Sequence, residues 1–356
     1  MTIFSIIFAI LLFAIIIILH ELGHFVAAKL SGVQVNEFAL FMGPAIFKKQ
    51  IGETLYSIRC IPFGGYCAME GEDEDTDNPR SFQKAAWWKR LIILVSGSFM
   101  NLITGFLLFA LVFSFAKSFE NTKIDFVEEG CTVVREDGLQ LGDQIIKIDG
   151  YRIYTSTDAL LLFSFDTPTH DIVVKRDGEK IVFDDYLMEK HPFLNEKTGE
   201  YEDRYGFNFG ADPASIGRLL PSTWAQTCST IQNVRISLNM LLTGKAGLKD
   251  MAGPVLIVSM MSTTATAAPK FIDAVVSMLY FGGFIAVNLA VMNMLPIPAI
   301  DGGRSVGLLL TTAIEKITKK KLNPKYEGYV HAVGLVLLFV LMIVILFKDV
   351  FQLIKG

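Results

Sequence analysis

The stretch IIIILHELGH occupies residues 15–24 and joins an apolar run to a cluster of ionisable side chains. The run covers residues 3–19 without a charge. As a helix it would be about 25 Å long, close to the roughly 30 Å of a bilayer core. The competing interpretation is a cleaved signal peptide, but the run lacks a basic start and a small-residue cleavage site. We therefore expect a membrane-spanning helix that continues through HELGH to Lys29, the first lysine of the chain.

The composition is that of an integral membrane protein with a polar module. Of the 356 residues, 52% are hydrophobic and only 19% are charged, and the mean hydropathy is +0.45. These values exclude a disordered chain, and a net charge of -4 provides no cationic field for nucleic acid. The four cysteines are too few and too scattered for a disulfide framework, and the absence of a CxxC pair excludes a zinc ribbon and a thioredoxin-type site.

Three further apolar runs, at residues 91–116, 271–295 and 329–347, bring the predicted membrane spans to four. Basic residues flank these runs in two segments, which the positive-inside rule assigns to the cytosol. Both termini and residues 117–270 are then expected outside, and the acidic run at residues 72–75 is expected to be a solvated turn. The basic residues are Lys84, Lys89, Arg90, Arg304, Lys316, Lys319, Lys320, Lys321 and Lys325.

The outer segment is expected to hold a compact module. GLQLGDQIIKIDG at residues 138–150 reads as a turn, a strand and a second turn. A helix at 156–165 and strands at 171–176 and 180–184, joined by an Asp-Gly hairpin, complete the pattern. This order resembles a PDZ domain; another small α+β module is the alternative.

The predicted division of the chain follows from these segments. An amphipathic helix over residues 224–242 is expected to lie on the outer membrane surface, before a break at Gly253-Pro254. The predicted regions are 1–116, a PDZ-like domain at 117–215, a membrane-associated segment at 216–270, and 271–356.

The HELGH sequence is an HExxH motif. On a helix, His20 and His24 share one face and can bind a single zinc ion. Glu21 lies about 100° round the helix from His20, where it can serve as a general base without being a ligand. Unpaired ionisable groups are costly at membrane depth, and metal binding offsets that cost. The alternative is a pair of ordinary interfacial histidines at a helix end.

A third ligand is expected from NLAVMNMLPIPAIDGG at residues 288–303, because catalytic zinc commonly has three protein ligands. Pro296 and Pro298 break the third span, and free backbone groups are tolerated at membrane depth only in a cavity or within packed protein. Asp301 thereby reaches the same leaflet as the two histidines. The alternative makes Asp301 the N-cap of a helix that begins near Gly302.

HELGH, the PDZ-like module and NxxPxPxxDGG, in this order, resemble the site-2 intramembrane metalloproteases (peptidase family M50). The similarity is to the bacterial regulator-of-sigma branch, RseP/RasP-like, with one PDZ domain. The resemblance implies one zinc ion per chain, with Asp301 as third ligand, and a substrate path lined by Asn288, Asn293, Pro296 and Pro298. Helix packing through interhelical hydrogen bonds is the alternative role of the two asparagines.

A further match is LYSIRCIPFGGY at residues 55–66, which reads as a strand that ends in a turn at Gly64 and Gly65. In the resembled family a membrane-associated β-hairpin here lies against the active site, and its edge could hold a substrate extended by β-addition. A purely structural hairpin is the alternative. FMGP at residues 41–44 departs from the family's usual GxGP.

The sequence therefore predicts a polytopic α-helical membrane protein with an inserted extracytoplasmic α+β domain. Its predicted activity is that of a site-2 type zinc metalloendopeptidase. The resemblance implies that it cuts within transmembrane segments of pre-trimmed single-span proteins such as anti-sigma factors or remnant signal peptides. We expect it in the bacterial inner membrane, with its active site near the cytosolic leaflet, and we expect no nucleic-acid partner and no organic cofactor.

The sequence leaves two other classes of function open. A non-catalytic membrane scaffold has no use for Glu21, and a zinc transporter needs polar residues along several spans. The remaining histidines, His170, His191 and His331, are expected to be ordinary surface or interfacial residues.

Overall fold

A computed structural model describes residues 2–72, 76–165, 167–194, 199–245, 247, 253–319 and 324–355. The predicted acids at 73–75 and the lysines at 320 and 321 lie outside this set. The chain forms two compact units. One combines residues 1–112 with 234–356, and the other covers residues 113–233.

Four helices in the described residues are long and apolar enough to cross a membrane, which confirms the four predicted spans. They are α1 (Thr2–Ser31), α2 (Trp87–Ser114), α6 (Phe271–Met292) and α8 (Pro324–Lys355). Helix α1 continues without a break through HELGH. His20 lies 18 residues beyond Thr2, or about 27 Å along the axis, so the motif sits toward the far end of the span.

Small residues bring these helices together. In α2, Gly97, Asn101, Thr104 and Gly105 are buried at three- to four-residue spacing, which defines one face. An apolar cluster packs α1 against α5 (Pro254–Ala267) and α6. Helix α7 (Asp301–Thr318) follows the double-proline loop.

Between α1 and α2 the chain forms a long hairpin of β1 (Val35–Ile51) and β2 (Thr54–Met69). Residues 37–40 pair with two parts of β2 at once, residues 65–68 and residues 55–58. Residues 55–58 run parallel to residues 37–40, whereas residues 65–68 run antiparallel to them, so the chain reverses direction between the two segments. Gly64, with φ +75°, lies in this reversal, and β2 continues beyond it to Met69. The chain turns at Gly64-Gly65 as predicted, but the expectation that the strand ends there is wrong. We call residues 64–69 the edge segment, because no described strand pairs with its other side.

Apolar side chains are exposed along this hairpin: Met42, Ile46, Phe47, Ile51, Ile58 and Ile61. Its base is part of a cluster with the end of α1, the start of α2 and Leu308 of α7. The hairpin is thus tied to the helices at its base and presents an apolar surface beyond it.

The second unit is a β-rich module. Its main sheet has the strand order β10-β3-β4-β6-β7, with β5 paired to β4, and β8 and β9 form a separate ladder. The Asp177-Gly178 hairpin joins β6 to β7 as predicted, with positive φ at both residues. The strand bounds are β3 (Ser118–Val127), β4 (Gln144–Ile148), β5 (Tyr151–Arg152), β6 (Thr169–Arg176), β7 (Glu179–Leu187), β8 (His191–Leu194), β9 (Tyr201–Arg204) and β10 (Phe207–Pro213).

Helix α3 (Ser156–Phe163) begins with a capping box between Thr155 and Asp158. Ser229 of α4 (Ile216–Leu242) donates a hydrogen bond to the Asp158 carboxylate at 2.5 Å, so α4 packs against the start of α3. The expectation of a surface role for His170 is wrong. It is 2% exposed and its Nδ1 lies 2.7 Å from Asp149 Oδ2.

Candidate active site

Three side chains that can bind a metal converge where α1 meets the start of α7. The distance between the Nε2 atoms of His20 and His24 is 3.3 Å. Asp301 Oδ2 lies 3.2 Å from the first and 3.3 Å from the second. This is the one group of three such side chains found within the described residues.

The spacing of these atoms fits a four-coordinate zinc ion. Zn–N and Zn–O bonds of about 2.0–2.1 Å in a tetrahedron place neighbouring ligand atoms about 3.3–3.4 Å apart, and the three observed distances are 3.2, 3.3 and 3.3 Å. Asp301 Oδ2 is buried and accepts no hydrogen bond from the described residues. Buried acceptors without a donor are rare, so this oxygen and the two nitrogens are arranged as ligands of a cation.

Hydrogen bonds to the other ring nitrogens fix both imidazoles. His24 Nδ1 donates to the carbonyl oxygen of Ile93 at 2.8 Å, which leaves Nε2 free as a ligand. His20 Nδ1 lies 3.2 Å from the Asn101 amide nitrogen, whereas Asn101 Oδ1 is buried and has no partner. With the amide turned over, Oδ1 accepts from His20 Nδ1–H, which leaves Nε2 free as a ligand. Asn101 therefore orients His20 for metal binding.

Gly97 provides the space that the two histidines occupy. A Cβ atom at Gly97 would lie 2.7 Å from His20 Cε1 and 2.8 Å from His24 Cδ2. Gly23 likewise faces the backbone of α2 at Ser96, where no side chain fits. The glycines let α1 and α2 approach closely at the level of HELGH.

The double-proline loop delivers Asp301 to this position. Asn293 ends α6, and its carbonyl oxygen accepts a hydrogen bond from Gly302 N at 2.6 Å. The N-cap of α7 is Ile300, and Asp301 is the first helical residue. The alternative of Asp301 as N-cap is therefore wrong, and its carboxylate is available for the histidines.

Ala299 precedes this helix with φ +79°, an unusual conformation for a residue with a side chain. Its N–H donates to His331 Nδ1 at 2.9 Å, so α8 supports the loop. His331 was expected to be an ordinary surface or interfacial residue. It lines the same cleft as Asp301, and that expectation is wrong.

Glu21 lies between the metal-ligand cluster and the edge segment. The backbone N–H of Cys67 faces its carboxylate. A Cβ atom at Gly65 would lie 3.3 Å from Glu21 Cγ and 3.0 Å from the Ala39 carbonyl oxygen. Gly65 thus lets the strand pass directly beside the glutamate.

Tyr66 is held firmly in the edge segment. The Arg59 guanidinium lies 5.1 Å from the centre of its ring, and burial together with a hydrogen bond to Glu37 raises the pKa of Tyr66 to about 12. Glu37 in turn accepts from Arg59 at 2.8 Å and from Ser57 at 2.6 Å. Tyr66 is therefore a fixed part of the cleft wall.

A cleft of about 1140 Å³ opens onto this site. One wall is the continuous run 66–72, which contains most of the edge segment, and another is the α8 face with His331, Ala332 and Leu335. His20, Glu21, His24 and Asp301 also line it. The cleft is large enough for an extended peptide segment.

The predicted substrate-binding residues lie in the edge segment, in α6 and in the double-proline loop. Gly64 and Gly65 belong to the edge segment, and Pro298 packs against Gly334 of α8. Asn288 donates to the Phe284 carbonyl oxygen of its own helix at 2.8 Å. The described lining of the cleft does not include Asn288, Asn293, Pro296, Pro298, Gly64 or Gly65, and their roles remain predictions.

An HExxH helix with a distant aspartate, inside a bundle of apolar helices, defines a membrane-embedded metallopeptidase. Comparison with known proteins agrees: the model of peptidase family M50 matches residues 8–341. The chain therefore belongs to peptidase family M50, and it is a metalloprotease of the site-2 type.

Relatives extend over nearly the whole chain. The Clostridium perfringens protein CPE1693 is 34% identical over 97% of this chain and 98% of its own length. The zinc metalloprotease RasP of Bacillus licheniformis is 25% identical over 96% of this chain and 97% of its own length. The regulator of sigma-W protease RasP of Bacillus subtilis is 23% identical over the same shares.

Proposed function

We propose that this protein is a zinc-dependent intramembrane endopeptidase that hydrolyses peptide bonds within transmembrane segments of single-span membrane proteins. The observation that carries the proposal is the set of three ligand atoms within 3.3 Å of one another at the end of a membrane span. Glu21 lies beside them. A scaffold has no need for this arrangement, and a transporter needs a polar path that α2 and α8 do not supply.

In the proposed reaction His20, His24 and Asp301 hold one zinc ion per chain. When bound, zinc acts as a Lewis acid that activates water and polarises the scissile carbonyl. Glu21 accepts the proton of the attacking water and passes it to the leaving amine nitrogen as the C–N bond breaks. Asn101 and the Ile93 carbonyl keep the imidazoles in the ligand orientation throughout.

The edge segment is the proposed substrate platform. A helical substrate hides its carbonyl carbons within its own hydrogen bonds, so it must be extended before it can be cut. The unpaired edge of residues 64–69 offers backbone groups for strand addition, and it runs beside Glu21. The substrate would thereby lie extended next to the general base.

The proposed substrates are membrane proteins already shortened by another protease, such as anti-sigma factors or remnant signal peptides. The name of the Bacillus subtilis relative, a regulator of sigma-W protease, supports the first of these. We place the protein in the bacterial inner membrane with the active site near the cytosolic leaflet. The β-rich module, proposed to be PDZ-like and extracytoplasmic, would then control access or capture trimmed ends.

A cleavage assay tests this proposal. The purified chain, reconstituted in lipid, is given a single-span peptide without an ectodomain and with a fluorescent reporter at each end. We expect cleavage inside the apolar segment, loss of cleavage with a zinc chelator, and recovery when zinc is returned. Cleavage that persists without zinc, or zinc binding without any cleavage, would contradict the proposed activity.

A further inference from the structure

An ion pair links the substrate side of the cleft to the helix of the third metal ligand. Arg304 Nη1 of α7 contacts Glu72 Oε1, although the two residues are 232 positions apart in the chain. The side chains are 29% and 17% exposed. Both residues line the cleft, and the expectation of a solvated turn at Glu72 is wrong.

In α7, the Arg304 member of the ion pair lies within one helical turn of Asp301. Arg304 lies three residues after Asp301, about 60° away round the helix, so the two side chains share a face. The N–H of Arg304 closes the first turn by donating to the Ile300 carbonyl at 3.2 Å. A displacement of Arg304 therefore carries Asp301 with it.

On the opposite side, Glu72 ends the run that forms the cleft wall and is fixed independently of α7. Gln83 Nε2 donates to the Glu72 carbonyl oxygen at 3.2 Å. Phe82 N donates to the Glu70 carbonyl at 2.7 Å, and Glu70 N donates to Gln34 O at 2.9 Å. Glu72 thus offers α7 an anchor on the rigid base of the hairpin.

The double-proline loop is tied to α7 by a hydrogen bond from Gly302 N to the Asn293 carbonyl oxygen at 2.6 Å. Prolines lack the N–H groups that would tie the loop to its neighbours, and Ala299 is held in a left-handed conformation by His331. A ligand displaced by even 1 Å weakens both metal binding and catalysis. In addition to that hydrogen bond, Arg304 gives the first turn of α7 a lateral contact with Glu72.

We propose that the Glu72–Arg304 ion pair is a positioning device that couples the cleft wall at residues 66–72 to the metal site by holding Asp301 in place. The proposal rests on the proposed function. Neither residue touches the reacting atoms. The pair fixes the position of the Asp301 carboxylate relative to the wall formed by residues 66–72.

Zinc affinity tests this proposal without requiring any substrate. We would titrate the reconstituted protein and its Arg304→Gln variant with zinc against a competing chelator, and measure kcat and KM for the peptide separately. Arg304→Gln should lower zinc affinity about 10-fold, the effect typical of a residue that supports a metal ligand. It should also lower kcat. Exchanging the charges, with Glu72→Arg and Arg304→Glu together, should restore most of the lost affinity.

The Glu37–Arg59 pair provides a matched control. It has the same chemistry and similar exposure, 17% and 19%, but both residues belong to the hairpin. Arg59→Gln should leave zinc affinity within about twofold of wild type, whatever it does to KM.

Two results would overturn the coupling: Arg304→Gln with wild-type zinc affinity, or a charge exchange that recovers nothing. Arg304→Lys guards against a folding defect, since it keeps the charge and should retain more affinity than Arg304→Gln. An equal loss of zinc affinity in Arg304→Lys and Arg304→Gln would also refute the proposal. A wild-type protein that binds zinc but cuts no peptide would instead contradict the proposed function and leave the coupling measurable.

Discussion

Adding one methyl group at Gly97 should dismantle the metal site. The new Cβ would lie 2.7 Å from His20 Cε1 and 2.8 Å from His24 Cδ2, whereas ordinary contact begins near 3.4 Å. The His20 ring must therefore retreat by about 0.7 Å, and the His24 ring must retreat farther, because its ligand atom Nε2 lies nearest to the new Cβ. Since metal–ligand distances tolerate about 0.2 Å, both nitrogens would leave bonding range.

We expect Gly97→Ala to lower zinc affinity roughly 100-fold, at the upper end of the effects of displaced ligands, and to abolish cleavage. The assay is zinc titration against a chelator, with helical content measured by circular dichroism. Gly105→Ala is the matched control in the same helix. Its Cβ would press on Gly283 and Val287 of α6, so it should cost about 1–3 kcal/mol of stability while zinc affinity changes little.

Wild-type zinc affinity in a folded Gly97→Ala protein would refute the close approach of α1 and α2 at HELGH. Equal loss of zinc in both glycine variants would also contradict the argument, because the effect would then come from helix packing in general.

Two substitutions and one labelling experiment test the site further. Asp301→Ala should reduce zinc affinity roughly 100-fold, whereas a lost cap would cost only about 1 kcal/mol of stability; full zinc occupancy with turnover would contradict the ligand assignment. Asn101→Ala should lower zinc affinity about 10-fold by freeing the His20 ring, and an unchanged titration would show that the amide does not orient it. Burial, with Glu21 and Glu72 nearby, raises the pKa of the Cys67 thiol. Maleimide at pH 8 should therefore modify the exposed Cys60 before Cys67. Equal modification of the two cysteines, measured by mass spectrometry, would contradict the buried position of Cys67.

The sequence predicted the helical and metal-binding parts of this protein for physical reasons. Apolar runs of span length can be satisfied in lipid only as helices, and the i, i+4 spacing brings His20 and His24 to one face without any knowledge of the fold. Asp301 could be anticipated because two prolines end the third span shortly before it. Its position 3.2–3.3 Å from both histidines depends on the loop and on α7.

Contacts between distant segments could not be predicted. Gly64-Gly65 is a common turn signal, but the pairing of residues 65–68 with residues 37–40, which carries the strand on beyond the turn, joins segments that are distant in the sequence. Glu72 stands in an acidic run typical of solvated loops, and only the fold brings Arg304 to it. His331 could be noticed only once α8 packed against the loop at Ala299, because nothing in its local sequence differs from an ordinary interfacial histidine.

The most direct test of the account is the Glu21→Gln variant, because it separates metal binding from proton transfer. We expect about one zinc per chain, as in the wild type, and a rate of peptide cleavage lowered at least 100-fold through loss of the general base. Zinc content by mass spectrometry and cleavage of the single-span peptide are measured on the same preparation. Cleavage near the wild-type rate would contradict the assignment of Glu21 as the base, and loss of zinc would show that Glu21 is itself a ligand.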